Sequence, residues 1–114
     1  MTPASRPASR PDLAARLLAL PIEARRKLAE QDGPGWWIED NGRIRNVLET
    51  SQIAWGVDVA TSEGWAWWPA DSLAWMEAAG ESWRADSADG FFIEGQDYWY
   101  PTPQEAVLAA LEAR

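Results

Sequence analysis

The stretch Gly35-Trp36-Trp37-Ile38-Glu39-Asp40-Asn41-Gly42-Arg43-Ile44-Arg45-Asn46-Val47 decides the fold class. Aromatic and β-branched residues flank an Asn-Gly pair, and Asn-Gly supplies the positive φ that a type I′ turn requires. These residues therefore predict a β-hairpin with a tight turn at Asn41-Gly42. Neighbouring side chains of a strand point to opposite faces, so Trp36 and Trp37 put tryptophan on both sides of the sheet.

The β pattern continues toward the C-terminus. Ile53 to Val59 and Trp65 to Trp68 flank Ala60-Thr61-Ser62-Glu63-Gly64 and read as a second hairpin, with Trp55, Val57 and Val59 sharing one face. Ser82 to Ala85 and Phe91 to Glu94 surround Asp86-Ser87-Ala88-Asp89-Gly90 as a third, which Tyr98 to Tyr100 extend. Helices bracket this region. Asp12 is placed to cap a helix through Leu13, Leu17, Leu18 and Leu20, and Pro21 opens a second helix over Ile22 to Gln31 that Gly33 and Pro34 close. Pro69 and Asp71 or Ser72 introduce a short helix through Leu73, Trp75, Met76 and Ala79, ended by Gly80. Thr102-Pro103-Gln104-Glu105 is a capping-box sequence: Thr102 can bond the Glu105 amide while the Glu105 carboxylate returns to the Thr102 amide. The reading is an α+β fold: an antiparallel sheet built from hairpins, with an N-terminal helix pair, one short middle helix and a C-terminal helix packed on it.

The chain has 114 residues, which suits one domain, and no cysteine, so no disulfide or thiolate site holds it. Residues 1–10 include the near-repeat Ala4-Ser5-Arg6-Pro7-Ala8-Ser9-Arg10, read as an extended tail, and residues 11–114 as a single α+β domain. No leader pattern and no apolar run of about 20 residues is present, so a cytoplasmic protein without membrane contact is expected.

Net charge is −8, unevenly placed. Six cations face two carboxylates over residues 1–27, giving +4, whereas four face sixteen over residues 28–114, giving −12. A body of that sign repels phosphate, which argues against direct nucleic-acid binding and for a protein partner with a basic surface.

With no histidine and no cysteine, Ser-His-Asp, Cys-His and zinc chemistry are excluded. Gly33-Pro34-Gly35 is followed by tryptophans, not by a P-loop Lys-Ser/Thr. Aligning Gly90 with the invariant glycine of an EF-hand places Ala85 at the first ligand, so that pattern fails as well. No catalytic residue, metal or cofactor is assigned, and a non-enzymatic binding protein is expected. The candidate partner-binding residues are the turn carboxylates Asp40, Glu63, Asp86 and Asp89, the tryptophans Trp36 and Trp68 of the two adjacent pairs, and Arg6 and Arg10 of the tail. Helices or a homodimer could equally cover the tryptophans on both faces.

Two stretches carry a resemblance. Leu17-Leu18-Ala19-Leu20-Pro21-Ile22-Glu23-Ala24-Arg25-Arg26-Lys27-Leu28-Ala29-Glu30 resembles the opening helix of small bacterial addiction-module components. Tyr100-Pro101-Thr102-Pro103-Gln104-Glu105-Ala106-Val107-Leu108-Ala109-Ala110-Leu111 is similar to the closing helix of small phage-encoded accessory proteins with an α-β-α sandwich. In size, acidity and lack of catalytic residues the chain is similar to anti-CRISPR proteins. That resemblance implies a phage or mobile-element inhibitor that covers a nucleic-acid-binding or partner-binding surface of a host defence complex. An antitoxin-like accessory subunit and a tryptophan-lined small-ligand or glycan-binding module are the alternatives. No functional residue carries over from any of them.

Overall fold

The computed structural model describes residues 6–31, 33–47 and 61–113 and has the α+β class read from the sequence. Strands β1 (Gly35–Ile38), β2 (Ile44–Val47) and β3 (Ala66–Pro69) form an antiparallel sheet in the order β2-β1-β3. Trp36 pairs with Trp68 and Trp37 with Trp67 across β1 and β3. By strand alternation Trp36, Ile38, Ala66 and Trp68 share one face, which belongs to the main core. Trp37 and Trp67 share the other, where Trp65 and Ala29 join them in a smaller cluster. Tryptophan on both sides of the sheet is thus observed.

The hairpin at Asn41-Gly42 forms with a different turn. Ile38 pairs with Ile44, and the Glu39 amide donates to the Arg43 carbonyl at 2.8 Å, which leaves the three-residue loop Asp40-Asn41-Gly42. The Gly42 amide donates to the Glu39 carbonyl, and Gly42 has φ +89°. This is a three-residue loop closed by a left-handed glycine, not a two-residue type I′ turn. The Asn41 side chain accepts from the Arg43 amide and so works outside the position expected of it. The strand expected over Trp65 to Trp68 appears as β3, with β1 as its described partner. Ile53 to Val59, including Trp55, lies outside the described residues.

Helices α1 (Pro11–Leu18) and α2 (Ile22–Ala29) form the expected N-terminal pair, and α3 (Ser72–Ala78) and α4 (Pro103–Glu112) are the middle and closing helices. Leu13, Leu17, Leu20 and Leu28 bring the pair into the main core with Ile38, Trp68, Trp75, Met76, Val107 and Leu108. Asp12 does not cap α1: Arg10 occupies the N-cap and Asp12 lies in the first turn, where its charge favours the helix dipole and it pairs with Arg10. Pro21 is the N-cap of α2, which starts at Ile22 as expected and ends at Ala29.

The closing helix keeps half of its capping box. Thr102 Oγ1 accepts from the Glu105 amide at 3.2 Å, but the Glu105 carboxylate accepts from Arg10 at 3.0 Å instead of turning back. Seven residues further, Glu112 pairs with Arg16 at 2.6 Å. Two ion pairs spaced by two helical turns therefore seam α1 alongside α4 in parallel. Arg6 to Arg10, read as extended tail, contain a 3₁₀ turn over Pro7–Ser9 with Pro7 buried.

Two positions in this frame have little freedom. A Cβ on Gly35 would lie 2.5 Å from the Trp68 carbonyl oxygen and 2.7 Å from the Trp67 ring, so the close approach of β1 to β3 requires glycine there. Gly35→Ala should lower stability by about 1–3 kcal/mol through overpacking, read as a lower denaturation midpoint. Gln104 is fully buried, and among the described residues neither polar atom of its side chain has a hydrogen-bond partner. Replacing it with an apolar side chain of similar volume removes that desolvation cost, so Gln104→Met should raise stability by about 1 kcal/mol or more in the same assay.

Candidate functional site

Beyond α3 the chain forms β4 (Trp83–Asp86) and β5 (Gly90–Ile93), a separate two-stranded sheet, and Tyr100 bridges to Phe91 on the far side of β5. Period-two alternation puts Trp83, Ala85, Phe91 and Ile93 on one face and Arg84, Asp86 and Phe92 on the other. Ile93 is buried, while Trp83 and Phe91 are half-buried against the main core.

Helix α3 faces that hairpin. Its start is set by the Asp71 side chain, which accepts from the Leu73 amide at 3.2 Å, and its orientation by Trp75. The Trp75 ring stands edge-on to Trp68 at 5.0 Å, and its indole N–H donates to the Pro69 carbonyl at 2.8 Å. With Trp75 turned inward, Leu73 and Met76, three residues apart, share another side. Between that side and the hairpin lies an open groove of about 600 Å³. Leu73, Met76, Trp83, Ala85, Phe91 and Pro101 form its apolar walls, and Ser72, Asp86 and Ser87 its polar rim. Leu73 is 52% exposed, a large apolar side chain left open to solvent at the groove.

The rim is negative. Asp86 accepts from the amides of Ala88 at 2.7 Å and Asp89 at 3.0 Å, and these bonds, that of Asp89 first, hold its carboxyl below its usual value. Asp89, in the same turn, is exposed, and Asp71 at the start of α3 is exposed as well. Among the residues lining the groove Asp86 is the one ionisable side chain, and its Oδ1 accepts both turn amides. Among the described residues no cluster of three or more His, Cys, Asp or Glu is placed to hold a metal ion.

The structure sorts the residues singled out in the sequence into three groups. Asp86 and Asp89 come together at the groove. Asp40 and Glu63 are exposed on a second corner, where the Asp40 Cβ lies 3.4 Å from the Cβ that Gly64 would carry. Trp68 is not a surface residue: it is 0% exposed and packed on Trp75, because β1, α3 and the core enclose its face of the sheet. Trp36, its cross-strand partner, is half-buried against the same core. Arg6 is exposed, and Arg10 is engaged by Asp12 and Glu105, which raise its pKa and tie the tail end to α4.

Leu73, Trp83 and Phe91 were not singled out by sequence. Leu73 carries the one legible signal, an apolar residue near the start of a short helix that buries Trp75, Met76 and Ala78. A further aromatic group lies at the hairpin end, where Phe92 and Trp99 stack at 5.4 Å and Tyr98, 61% exposed, contacts Tyr100 at 5.0 Å. The neighbouring Tyr98 and burial push the Tyr100 hydroxyl up to about 12. No helix among the described residues is long and apolar enough to cross a membrane. The chain matches no protein-family model, no curated protein and no solved structure.

The Asp86 turn has a defined pH signature. A carboxyl whose folded pKa lies below its ordinary value of 3.8 contributes stability above that value and loses it as pH falls through the lower, folded one. The Asp86 side chain should therefore titrate below 3.8 by NMR. Exchange protection of the Ala88 and Asp89 amides should persist to that midpoint and vanish beneath it, and Asp86→Ala should abolish the protection at every pH. An Asp86 midpoint at or above 3.8 would contradict the turn geometry.

Proposed function

We propose that this is a non-enzymatic binding protein that seats a segment of a basic protein partner in the groove between α3 and the β4–β5 hairpin. The carrying observation is the open apolar groove rimmed by Asp86, with exposed Asp89 and Asp71 beside it. Apolar walls supply the desolvation that drives association, and the charged rim supplies orientation and encounter rate. The balance of −12 over residues 28–114 extends the same field beyond the groove. Acid-base catalysis finds little support here, because glycoside hydrolysis takes two facing carboxylates and the groove is lined by one, tied into its turn.

An inhibitor that covers a basic surface of a larger complex, the reading implied by the anti-CRISPR-like size and acidity, is one biological setting for this chemistry. A groove meant for phosphate would be basic, whereas an acidic body competes for the cations that bind phosphate. A tryptophan-lined sugar platform is less well supported, since none of the eight described tryptophans is fully exposed and most enter the two cores.

The test is association kinetics with the partner captured from source cells, comparing the wild type with a variant carrying Asp86→Lys and Asp89→Lys and one carrying Asp40→Lys and Glu63→Lys. Attraction of this kind is screened over about 8 Å at physiological ionic strength. The wild-type association rate should fall about tenfold or more from low to high salt while dissociation changes little. The groove-side reversal should slow association more than the reversal at the Asp40 corner. Association indifferent to salt and to both reversals would refute an acidic docking surface.

A further inference from the structure

We propose that β4 is a docking edge, at which an extended segment of the partner, apolar at alternate positions and basic where it faces Asp86, adds as a third strand to the β4–β5 sheet. The inference rests on the acidic-groove reading and specifies how the partner is held.

The ladder shows which backbone groups are free. The Glu94 amide donates to the Ser82 carbonyl at 2.8 Å, and the register runs Trp83 with Ile93, Arg84 with Phe92, Ala85 with Phe91 and Asp86 with Gly90. Hydrogen-bonded and non-bonded pairs alternate in an antiparallel ladder. Arg84 and Asp86 therefore direct their backbone groups to β5, and Trp83 and Ala85 turn theirs away from it. No hydrogen bond from those outward groups is formed among the described residues. The opposite edge of the sheet is already occupied: Phe91 and Tyr100 exchange both backbone bonds, at 2.7 and 2.8 Å.

Two amides and two carbonyls aligned along one strand are a template for an added strand. Trp83 and Ala85 also wall the groove, so the edge and the apolar cavity adjoin. Alternate side chains of an added strand fall on the groove face, with Trp83 and Ala85, while the others project outward beside Arg84 and, at the turn end of β4, Asp86, with Asp89 in the turn beyond. Apolar residues suit the first set; in the second, a basic residue suits the position opposite Asp86 and a neutral one the position opposite Arg84.

A second copy of this chain is the poorer occupant. Each copy brings a net charge of −8. The self-paired register that uses all four outward groups is centred on Arg84 and sets it opposite its own copy, and like charges directly opposed destabilise a strand pair.

The probe is a blocked synthetic peptide, Arg-Val-Thr-Val-Arg, which sets Thr opposite Arg84 and an Arg opposite Asp86, added to the full chain and followed by NMR and calorimetry. Its controls are the Glu-for-Arg peptide and the same basic peptide N-methylated at alternate residues. The basic peptide should bind, protect the Trp83 and Ala85 amides from exchange, and outcompete the acidic one. N-methylation should weaken it about 10-fold or more, the loss of roughly two backbone hydrogen bonds. Ala85→Pro should weaken binding similarly, since it removes an outward amide while sparing the ladder to β5, the position at which an edge strand tolerates proline. If that variant does not fold, the N-methylated peptide alone decides. Equal binding of methylated and unmethylated peptides, or protection absent from Trp83 and Ala85, overturns strand addition and leaves the acidic groove standing. No preference for the basic over the acidic peptide overturns the acidic-groove reading and strand addition together.

Discussion

The register of β1 against β3 sets Trp36 beside Trp68 and Trp37 beside Trp67, and the other parts of the molecule are placed by reference to that pairing. On one face Trp68 receives the edge of Trp75, which fixes the rotation of α3 and thereby directs Leu73 and Met76 toward the hairpin. On the other face Trp37 meets Trp67 edge-on at 5.0 Å, and Ala29 of α2 closes on them. Gly35 permits the pairing, because a side chain there would collide with both Trp67 and the Trp68 backbone. The groove is thus a consequence of how two sheets share one core: the three-stranded sheet holds α3, the core holds Ile93 of the hairpin, and the space between is left unfilled.

Charge is distributed by the fold in a way the linear asymmetry conceals. Arg10 and Arg16, two of the cations that make the N-terminal segment positive, are consumed by Glu105 and Glu112 along the α1–α4 seam. Arg45 pairs with Glu39 at 2.5 Å and lies 5.4 Å from the Trp65 ring, at the border of the smaller tryptophan cluster. Arg25 is spent on backbone, donating to the carbonyls of Leu20, Thr61 and Trp65, and burial lowers its pKa. Such partly exposed pairs contribute modestly to stability, about 1 kcal/mol or less each. Their larger effect is on the surface field. Those four cations are drawn into seams and joints, whereas Asp40, Glu63 and Asp89 stay exposed on turns.

Local chemistry was the legible part of this protein. Strand alternation placed tryptophan on both sheet faces from Trp36-Trp37 and Trp67-Trp68 alone, and Thr102-Pro103 marked the start of α4, because both follow from backbone geometry within a few residues. The same locality explains the errors. Asp12, Glu105 and Asn41 were assigned the nearest backbone partner their residue type favours. Asp12 and Glu105 found Arg10, and Asn41 found the Arg43 amide in a longer turn. A charged side chain takes a stronger partner when the fold delivers one, and for Glu105 that partner comes from 95 positions away in the chain.

Composition and periodicity by themselves determined the α+β class, the helix and strand types, the acidity of the body and the absence of histidine and cysteine chemistry. Tertiary structure alone decided which tryptophans are buried, that Trp68 is core and not surface, and that Leu73 meets Trp83 and Phe91 across a groove. The physical reason is that burial and cavities belong to pairs of elements. A strand's two faces are equivalent until something packs on one of them, and no residue of α3 or of the hairpin records, in its own neighbourhood, the gap that remains where the two fail to close.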